Sequence, residues 1–537
     1  MRTTFTILAL CILQHLCAKN FNITESGAVP DGKTLCTEII QKTIDECSVT
    51  GGGRVTVPAG KFLTGTLFLK DNVTLYLENG AVLLGSTKIE DYKPANVIKA
   101  NGVHNICITG EGTIDGQGSA FWIPADRSRI HYSRTPQWIH KNPRSGNLIL
   151  LNGCKNVRIE NIILKGSESW TLHLLGCDGV MVKGISIRNP IHGPNTDGID
   201  IQACSNVRIS DCDIYTRDDA IVLKNRHPDY YGKACENITV TNCILTTECN
   251  GFKIGTESIN DFKNIVFSNS VIRTAKLDDE LAKVAAGYVL PGNIRGIAPI
   301  SGIALETVDG ANLQGVTITN IVMDGVLTPI FIRLANRGAG DQKVAVPVPG
   351  TLKDVIISNI VAYGADLASS ITAIPGSRIE NVMLKNILIR TSGGGDKELA
   401  TKEMDEKIKA YPEARMWGTM PVSGFFVRHV KGLQMIDIKI IVNEKDMRPL
   451  VVFDDVADLY INNLRTNEVH GGESVLNFRN VKRASLLHLD FPEDLKIPWL
   501  SVSGAETERI FVSSAENKKL KNRIISDKSV RKGMIQY

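Results

Sequence analysis

The sequence predicts an all-β protein, a single-stranded right-handed parallel β-helix with an N-terminal capping helix, and three observations predict it. A short phrase recurs down the chain, its apolar positions are rich in β-branched residues at strand-like alternation, and Asn, Asp or Gly punctuates each repeat. The phrase begins at His104, Lys155, Asp178, Ser205, Glu236, Lys263, Gln314, Lys353, Glu380, Lys431 and Ala457. The intervals 178 to 205, 236 to 263 and 353 to 380 are each 27 residues, while 263 to 314 and 380 to 431 are each 51, about two coils. A period in the twenties is that of a stacked solenoid, in which each unit can bury its apolar face only against its neighbours.

Taken in order, Met1 to Ala18 reads as a secretory signal, with Arg2 as the positive start, Phe5 to Leu13 as the apolar core and Ala18 as the small residue before cleavage. That core is too short to span a bilayer, and no later run approaches the roughly 20 residues a span needs. A secreted or periplasmic protein without a membrane span is expected. Neither Cys11 nor Cys17 follows a small residue, which gives a lipid anchor little support. Residues 19–500 are expected to form one β-helix domain, and 501–537 a Lys-rich solvated tail.

Cys36 to Cys47 places Ile39, Ile40 and Ile44 at helical spacing. A helix there would cover the open first coil, whose apolar surface and strand edge are otherwise unprotected. GGGRVTVPAGKFLTG and NVTLYLENGAVLLGS follow as turn-bounded strands.

Within the repeats, Cys154, Cys177, Cys204 and Cys235 each open a similar phrase, and Cys212 and Cys243 recur eight residues after the last two. A cysteine at one place in successive coils is expected as a buried free thiol stacked in a column, not as half of a disulfide framework. Asn156, Asn206, Asn237, Asn264 and Asn381 are expected to be structural, bonding from coil to coil in a ladder.

Two segments interrupt the repeat. Gly118 to Asn147 carries Trp122, Trp138, His131 and His140 and is expected to wall a cleft. Ser392 to Pro421 is expected to hold a helix ended by Pro412, and its length suits a lid-like loop.

The formal charge of +4, from 61 basic and 57 acidic residues, forms no basic stripe, so nucleic acid is not an expected partner. Phosphate-binding loops, zinc spacings and a nucleophile elbow are missing, and the triplets Gly51 to Gly53 and Gly393 to Gly395 are turn material. No metal or cofactor is expected, and a monomer is.

Chemistry concentrates in Asn195 to Asp219, NTDGIDIQACSNVRISDCDIYTRDD, where Asp197 and the pair Asp218 and Asp219 stand about one repeat apart. Residues one coil apart lie in adjacent strands about 4.8 Å from each other. Carboxylates brought that close cannot all ionise freely, so one is expected to hold a proton near neutral pH, the equipment of glycoside hydrolysis. Asp200, Asp211 and Asp213 lie in the same stretch, and aspartate is also common in turns.

GEGTIDGQG (Gly110 to Gly118), ESWTLHLLGC (Glu168 to Cys177), NTDGID (Asn195 to Asp200) and RDDAIVLKN (Arg217 to Asn225) together resemble glycoside hydrolase family 28, the polygalacturonase-like pectinases. SGAVPDGKT and GGGRVTVPAGKFLTGTLFL resemble the first coil of the wider pectate-lyase-like β-helix group. The resemblance implies inverting hydrolysis of a pectic oligo- or polysaccharide, with Asp218 as general acid and Asp197 and Asp219 holding and deprotonating the water. Candidate substrate-binding residues are Asn195, Asn250, Lys253, Glu306, Arg333, Trp170 and His173.

This chain departs from the family pattern at two places. Cys249, Asn250 and Gly251 stand where the family carries Gly-His-Gly, and Ala304, Leu305 and Glu306 where it carries the carboxylate-binding Arg-Ile-Lys. Either Lys253 or Arg333 restores the lost positive charge, or the leaving-side sugar is neutral, as rhamnose is, with Glu306 bonding its hydroxyls. Two rivals remain at this point: a calcium-assisted polysaccharide lyase on the same fold, and a non-catalytic carbohydrate-binding β-helix.

Overall fold

The structure is a computed structural model that describes residues 19–124, 138–275, 298–338, 349–467, 471–492, 495–513 and 523–536. The expected signal and His131 lie outside these residues.

The chain winds as a right-handed parallel β-helix in which each strand pairs with its counterpart one coil away. The strands that carry the site follow one another as Ile149–Asn152, Leu172–Leu175, Ile199–Gln202, Ile221–Asn225, Asn250–Ser258, Ser301–Thr307 and Thr328–Leu334. Their register is continuous: Leu172 pairs with Ile199, Ile199 with Ile221, Ile221 with Phe252, Phe252 with Ile303 and Ile303 with Ile330. This column points inward and is fully buried, so the β-branched positions of the repeat become one dry core running the length of the solenoid. Phe252 and Phe267 stack inside it at 4.6 Å between centroids.

The helix Thr37–Val49 buries Ile40, Thr43, Ile44 and Cys47, while Ile39 stays partly exposed. Gln41 fastens it to the strand edge at Phe68, donating to the carbonyl and accepting from the amide.

The expected columns form. Asp178 pairs with Ser205 and Ser205 with Glu236, which stacks Cys177, Cys204 and Cys235, one residue earlier in each strand, as buried thiols. All ten described cysteines are free. Asn156 donates to Asn105, Asn237 to Asn206 and Asn264 to Asn237, at 2.7, 3.1 and 3.0 Å. Each of these residues has positive φ between 51° and 58°, and Asn is the non-glycine residue that adopts that conformation most readily.

Two expectations change. Parallel pairing continues beyond residue 500, from Leu500–Ser503 to Ile524–Ser526 and from Glu508–Val512 to Ile535–Gln536, so the coils run on into the segment expected as tail. The helix expected up to Pro412 is only Lys397–Ala400, capped by Asp396, whose side chain accepts from the amide of Leu399. The carbonyls beyond it are claimed by other donors: Arg428 bonds Met404 O, Trp417 Nε1 bonds Asp405 O, and Arg333 bonds Glu406 O and Lys407 O. Side chains that take those carbonyls leave no ladder for a helix to continue.

Residues 401–424 therefore form an extended strap lying on the outer face of the site sheet. Met404, Ala414, Trp417 and Met420 pack with Ala304, Phe331 and Phe426.

Candidate active site

The strand turns just before Ile199 and Ile221 place the acidic groups. Because Ile199 pairs with Ile221, Asp197 and Asp219 stand at matching positions two residues earlier, and the Gly198 amide donates to Asp219 O at 2.9 Å. Asn250 holds the same place one coil on, two residues before Phe252, and its Nδ2 donates to Asp219 Oδ1 at 2.6 Å. Asn195 Nδ2 lies 3.4 Å from Asp218 Oδ2. The stretch read as the chemical centre thus folds into one patch holding Asp197, Asp218 and Asp219.

Two buried lysines divide this patch. Lys224 Nζ bonds Asp197 Oδ2 at 2.9 Å and Asp200 Oδ1 at 2.6 Å, and stands 3.8 Å from the centroid of the Trp170 ring. Lys253 Nζ lies 3.3 Å from Asp219 Oδ2 and 4.0 Å from Glu306 Oε2. Burial would neutralise both ammonium groups, but the carboxylates around them override it and hold both lysines charged.

The carboxyl groups respond unequally. Burial, then the charge of Asp219, raises Asp218 above the ordinary carboxylate range. Burial also acts on Asp219, yet Lys253, Lys224 and the Asn250 amide bring it below that range. Burial and the charge of Asp200 lift Asp197 against the pull of Lys224, and burial pushes Asp200 up to about 7.

On one side, the strap ends the open groove. Arg217, Asp218, Glu248, Cys249, Asn250, Lys253 and Ile300 meet Tyr411, Pro412, Glu413 and Arg415 around a pocket of about 280 Å³. Tyr411 is 57 % exposed, and its hydroxyl meets Thr256 Oγ1 at 3.2 Å, which in turn donates to Glu306 Oε2 at 3.0 Å. Beyond the pocket the sheet's outer face is sealed, with Ala304, Phe331, Ser370 and Phe426 all buried.

On the other side stands the interrupting segment Gly118 to Asn147. Trp122–Pro124 and Trp138–His140 pair antiparallel, and His140 spans from Glu168 Oε1 at 2.5 Å to Asn195 Oδ1 at 3.3 Å. The expected wall therefore touches the residue that touches Asp218.

The expected binding residues separate. Asn195, Asn250 and Lys253 contact the aspartates. Glu306 is present, but it is 1 % exposed beneath Thr256, and burial pushes it up to about 7. Trp170 covers Lys224, while His173 is buried against it, bonded by Gln202 and Asn147, and burial lowers its pKa to about 3. Arg333 lies away from the aspartates: it is 1 % exposed, and its guanidinium is occupied by Thr372, Ala373 and the strap carbonyls.

Sequence reasoning missed Lys224, Thr256 and Tyr411. Lys224 had a signal, being a lysine amid the apolar run AIVLKN. Tyr411 had none, because nothing local ties the strap to coils some 150 residues earlier.

Residues 47–278 match the family model described as "Glycosyl hydrolases family 28". A "Probable polygalacturonase" of Vitis vinifera is 25 % identical over 446 residues, covering 76 % of this chain and 82 % of that protein. Among solved structures, an exopolygalacturonase of Thermotoga maritima superposes with a TM-score of 0.55 at 22 % identity over 70 % of this chain and 87 % of that one. A family 28 exopolygalacturonase of Yersinia enterocolitica does so with 0.53 at 19 %, over 89 % and 79 %. With three aspartates gathered in one patch of a parallel β-helix, the chain is similar over residues 47–278 to glycoside hydrolase family 28, and it is a glycosidase.

Proposed function

We propose that the protein hydrolyses a glycosidic bond of pectic polysaccharide with inversion at the anomeric carbon, next to a neutral leaving-side sugar such as rhamnose and close to a chain end. The observation that carries the reading is the opposed behaviour of two adjacent carboxyls, Asp218 pushed towards the acid and Asp219 towards the carboxylate. Neighbouring groups whose environments push their pKa values apart are the mark of an acid and base pair.

In the reaction, Asp218 gives its proton to the glycosidic oxygen as the bond from that oxygen to the anomeric carbon breaks. Asp219, with Asp197 beside it, orients a water and takes its proton as the water oxygen bonds the anomeric carbon from the opposite face. Inversion needs room for that water between acid and base, about 6.5 to 9.5 Å between the carboxyl groups. The three groups come from two adjacent coils, and Asp197 Oδ1 accepts no hydrogen bond from the described residues.

A pectic substrate is supported by the grape relative, named a polygalacturonase. A neutral leaving-side sugar is supported by the charge balance of the pocket. Lys253 is shared by Asp219 and Glu306, Arg217 is paired with Glu248, and Arg415 with Glu413. Cations already neutralised in pairs offer a substrate carboxylate little attraction. Cleavage near a chain end is supported by the strap, since the sheet beyond the pocket is covered and a long polymer has no path across it.

The reading is tested with defined pectic oligosaccharides, following released sugars by chromatography and the anomer first formed by proton NMR. A saturated product of inverted configuration is expected, and Asp218→Asn should lose about 10²- to 10⁴-fold in kcat, the usual worth of a positioned acid. An unsaturated, ultraviolet-absorbing product, or full activity in Asp218→Asn, overturns it.

A further inference from the structure

The buried cluster behind Asp197 is larger than hydrolysis by three aspartates requires. Asp200 is fully buried and Lys224 is 5 % exposed, so the two face Asp197 from beneath the groove. Gln202 pairs in register with Lys224, which carries the ammonium from the coil of Asp218 and Asp219 back to the coil of Asp197 and Asp200. The Trp170 ring, one further coil back, closes the third side.

Two carboxylates around one ammonium leave an excess negative charge. Asp197 Oδ1 and Asp200 Oδ2 are both buried and take no hydrogen bond from the described residues. A buried carboxylate oxygen without a donor is costly, so the arrangement favours a proton on one of the two acids.

We propose that Lys224 and Asp200 are positioning residues for hydrolysis: Lys224 grips Asp197 by Oδ2 and so fixes its carboxyl beside Asp218 and Asp219, and Asp200 competes with Asp197 for that same ammonium. The inference rests on the reading that Asp197 handles the water. Its consequence is that the charge of Asp197 is set by two residues that never touch substrate.

Other charged groups face the cluster. Asp218 and Asp219 act on Asp197, Glu257 acts on Asp200 and Lys224, Lys253 stands beside Asp219, and His173 faces Lys224 as a neutral imidazole. Asp219 is held below the ordinary carboxylate range and Asp197 above it, so Asp197 governs the acid limb of the rate profile.

The two residues have opposite signs. Lys224→Met removes the cation, so Asp197 holds its proton to higher pH and the acid limb of kcat moves up. Asp200→Asn removes the competing acid, so Lys224 serves Asp197 alone and the limb moves down. Shifts of about one pH unit are expected in each direction, with kcat falling about 100-fold in Lys224→Met at the wild-type optimum and KM nearly unchanged.

The experiment is the pH profile of kcat and KM for the wild type, both variants and Asp218→Asn, each checked by thermal unfolding. Limbs that stay in place, move together, or give way to a rise in KM overturn the inference. If Lys224→Met does not fold, the downward shift in Asp200→Asn decides alone. Should Asp218→Asn remain active, the hydrolase reading itself fails; if only the limb shifts are missing, this inference fails and that reading stands.

Discussion

Lys253 Nζ stands 3.3 Å from Asp219 Oδ2, reaching over from the neighbouring coil in which Val222 pairs with Lys253. This contact keeps one member of an adjacent aspartate pair ionised in a buried setting, and so lets the other keep a proton.

Lys253→Met should therefore lower kcat more than it changes KM. Asp219 and Glu306 would be left buried without their shared cation, and a loss of about 100-fold is expected because the base is no longer ionised near neutral pH. Steady-state kinetics on neutral-ended and uronate-ended oligosaccharides checks this. A rise in KM confined to uronate-ended substrate would make Lys253 a carboxylate ligand and remove the neutral-sugar assignment.

Glu306 links the site to stability. Its folded pKa of about 7 exceeds the ordinary value of 4.5, so folding favours the protonated acid. That contribution is complete below about 4.5 and fades as pH rises through about 7, by roughly 3 kcal/mol on the scale of 1.36 kcal/mol per pKa unit. Denaturant unfolding between pH 4 and 8 should show the loss in the wild type and a flatter curve in Glu306→Gln. Parallel curves for the two proteins would refute it.

The strap should control where a chain is cut. Trp417 is 8 % exposed, with its Nε1 bonded to Asp405 O. Trp417→Ala should cost about 3 to 5 kcal/mol of local packing and free the strap from Phe331 and Phe426. Early products from a long polymer should then change from short pieces to a broad range of lengths, seen by size-exclusion chromatography. An unchanged product pattern with a detached strap would rule out its role as an end-stop. Tyr411→Ala, which removes the ring at the pocket rim together with the hydroxyl that meets Thr256, should raise KM about threefold to tenfold, matching about 0.5 to 1.5 kcal/mol for an aromatic contact.

The asparagine ladder should matter to the fold and not to the reaction. Asn237 has φ of 57°, donates to Asn206 and accepts from Asn264. Asn237→Ala loses both bonds and places a Cβ-bearing residue less suited to that conformation, so a loss of about 1 to 3 kcal/mol is expected. Thermal unfolding measures it, and kcat should hold. A drop in kcat without a drop in melting temperature would mean the ladder reaches the site.

Much of this was legible in order along the chain. Each coil repeats the same local problem, an apolar strand that can be buried only by the next one, so the phrases at Asp178, Ser205 and Glu236 announced their stacking by recurrence. Asp197 and Asp219 stand 22 residues apart and come level because Ile199 pairs with Ile221, and register carries every residue of a coil along together. The helix beyond Ala400 was misjudged for a non-local reason: Arg333, Trp417 and Arg428 take the carbonyls that helical periodicity assumes are free.

By itself the sequence determined the solenoid, its thiol and asparagine columns and the meeting of three aspartates, since all of these follow from one interval repeated under hydrophobic burial. Only the tertiary structure decided what surrounds them: which lysine each carboxylate meets, that Arg333 faces the strap, and that Tyr411 reaches a coil some 150 residues before it. Charge states in a buried cluster depend on distances of a few ångström between residues far apart in the chain, and periodicity specifies which coil a residue joins but not which neighbour its side chain turns to.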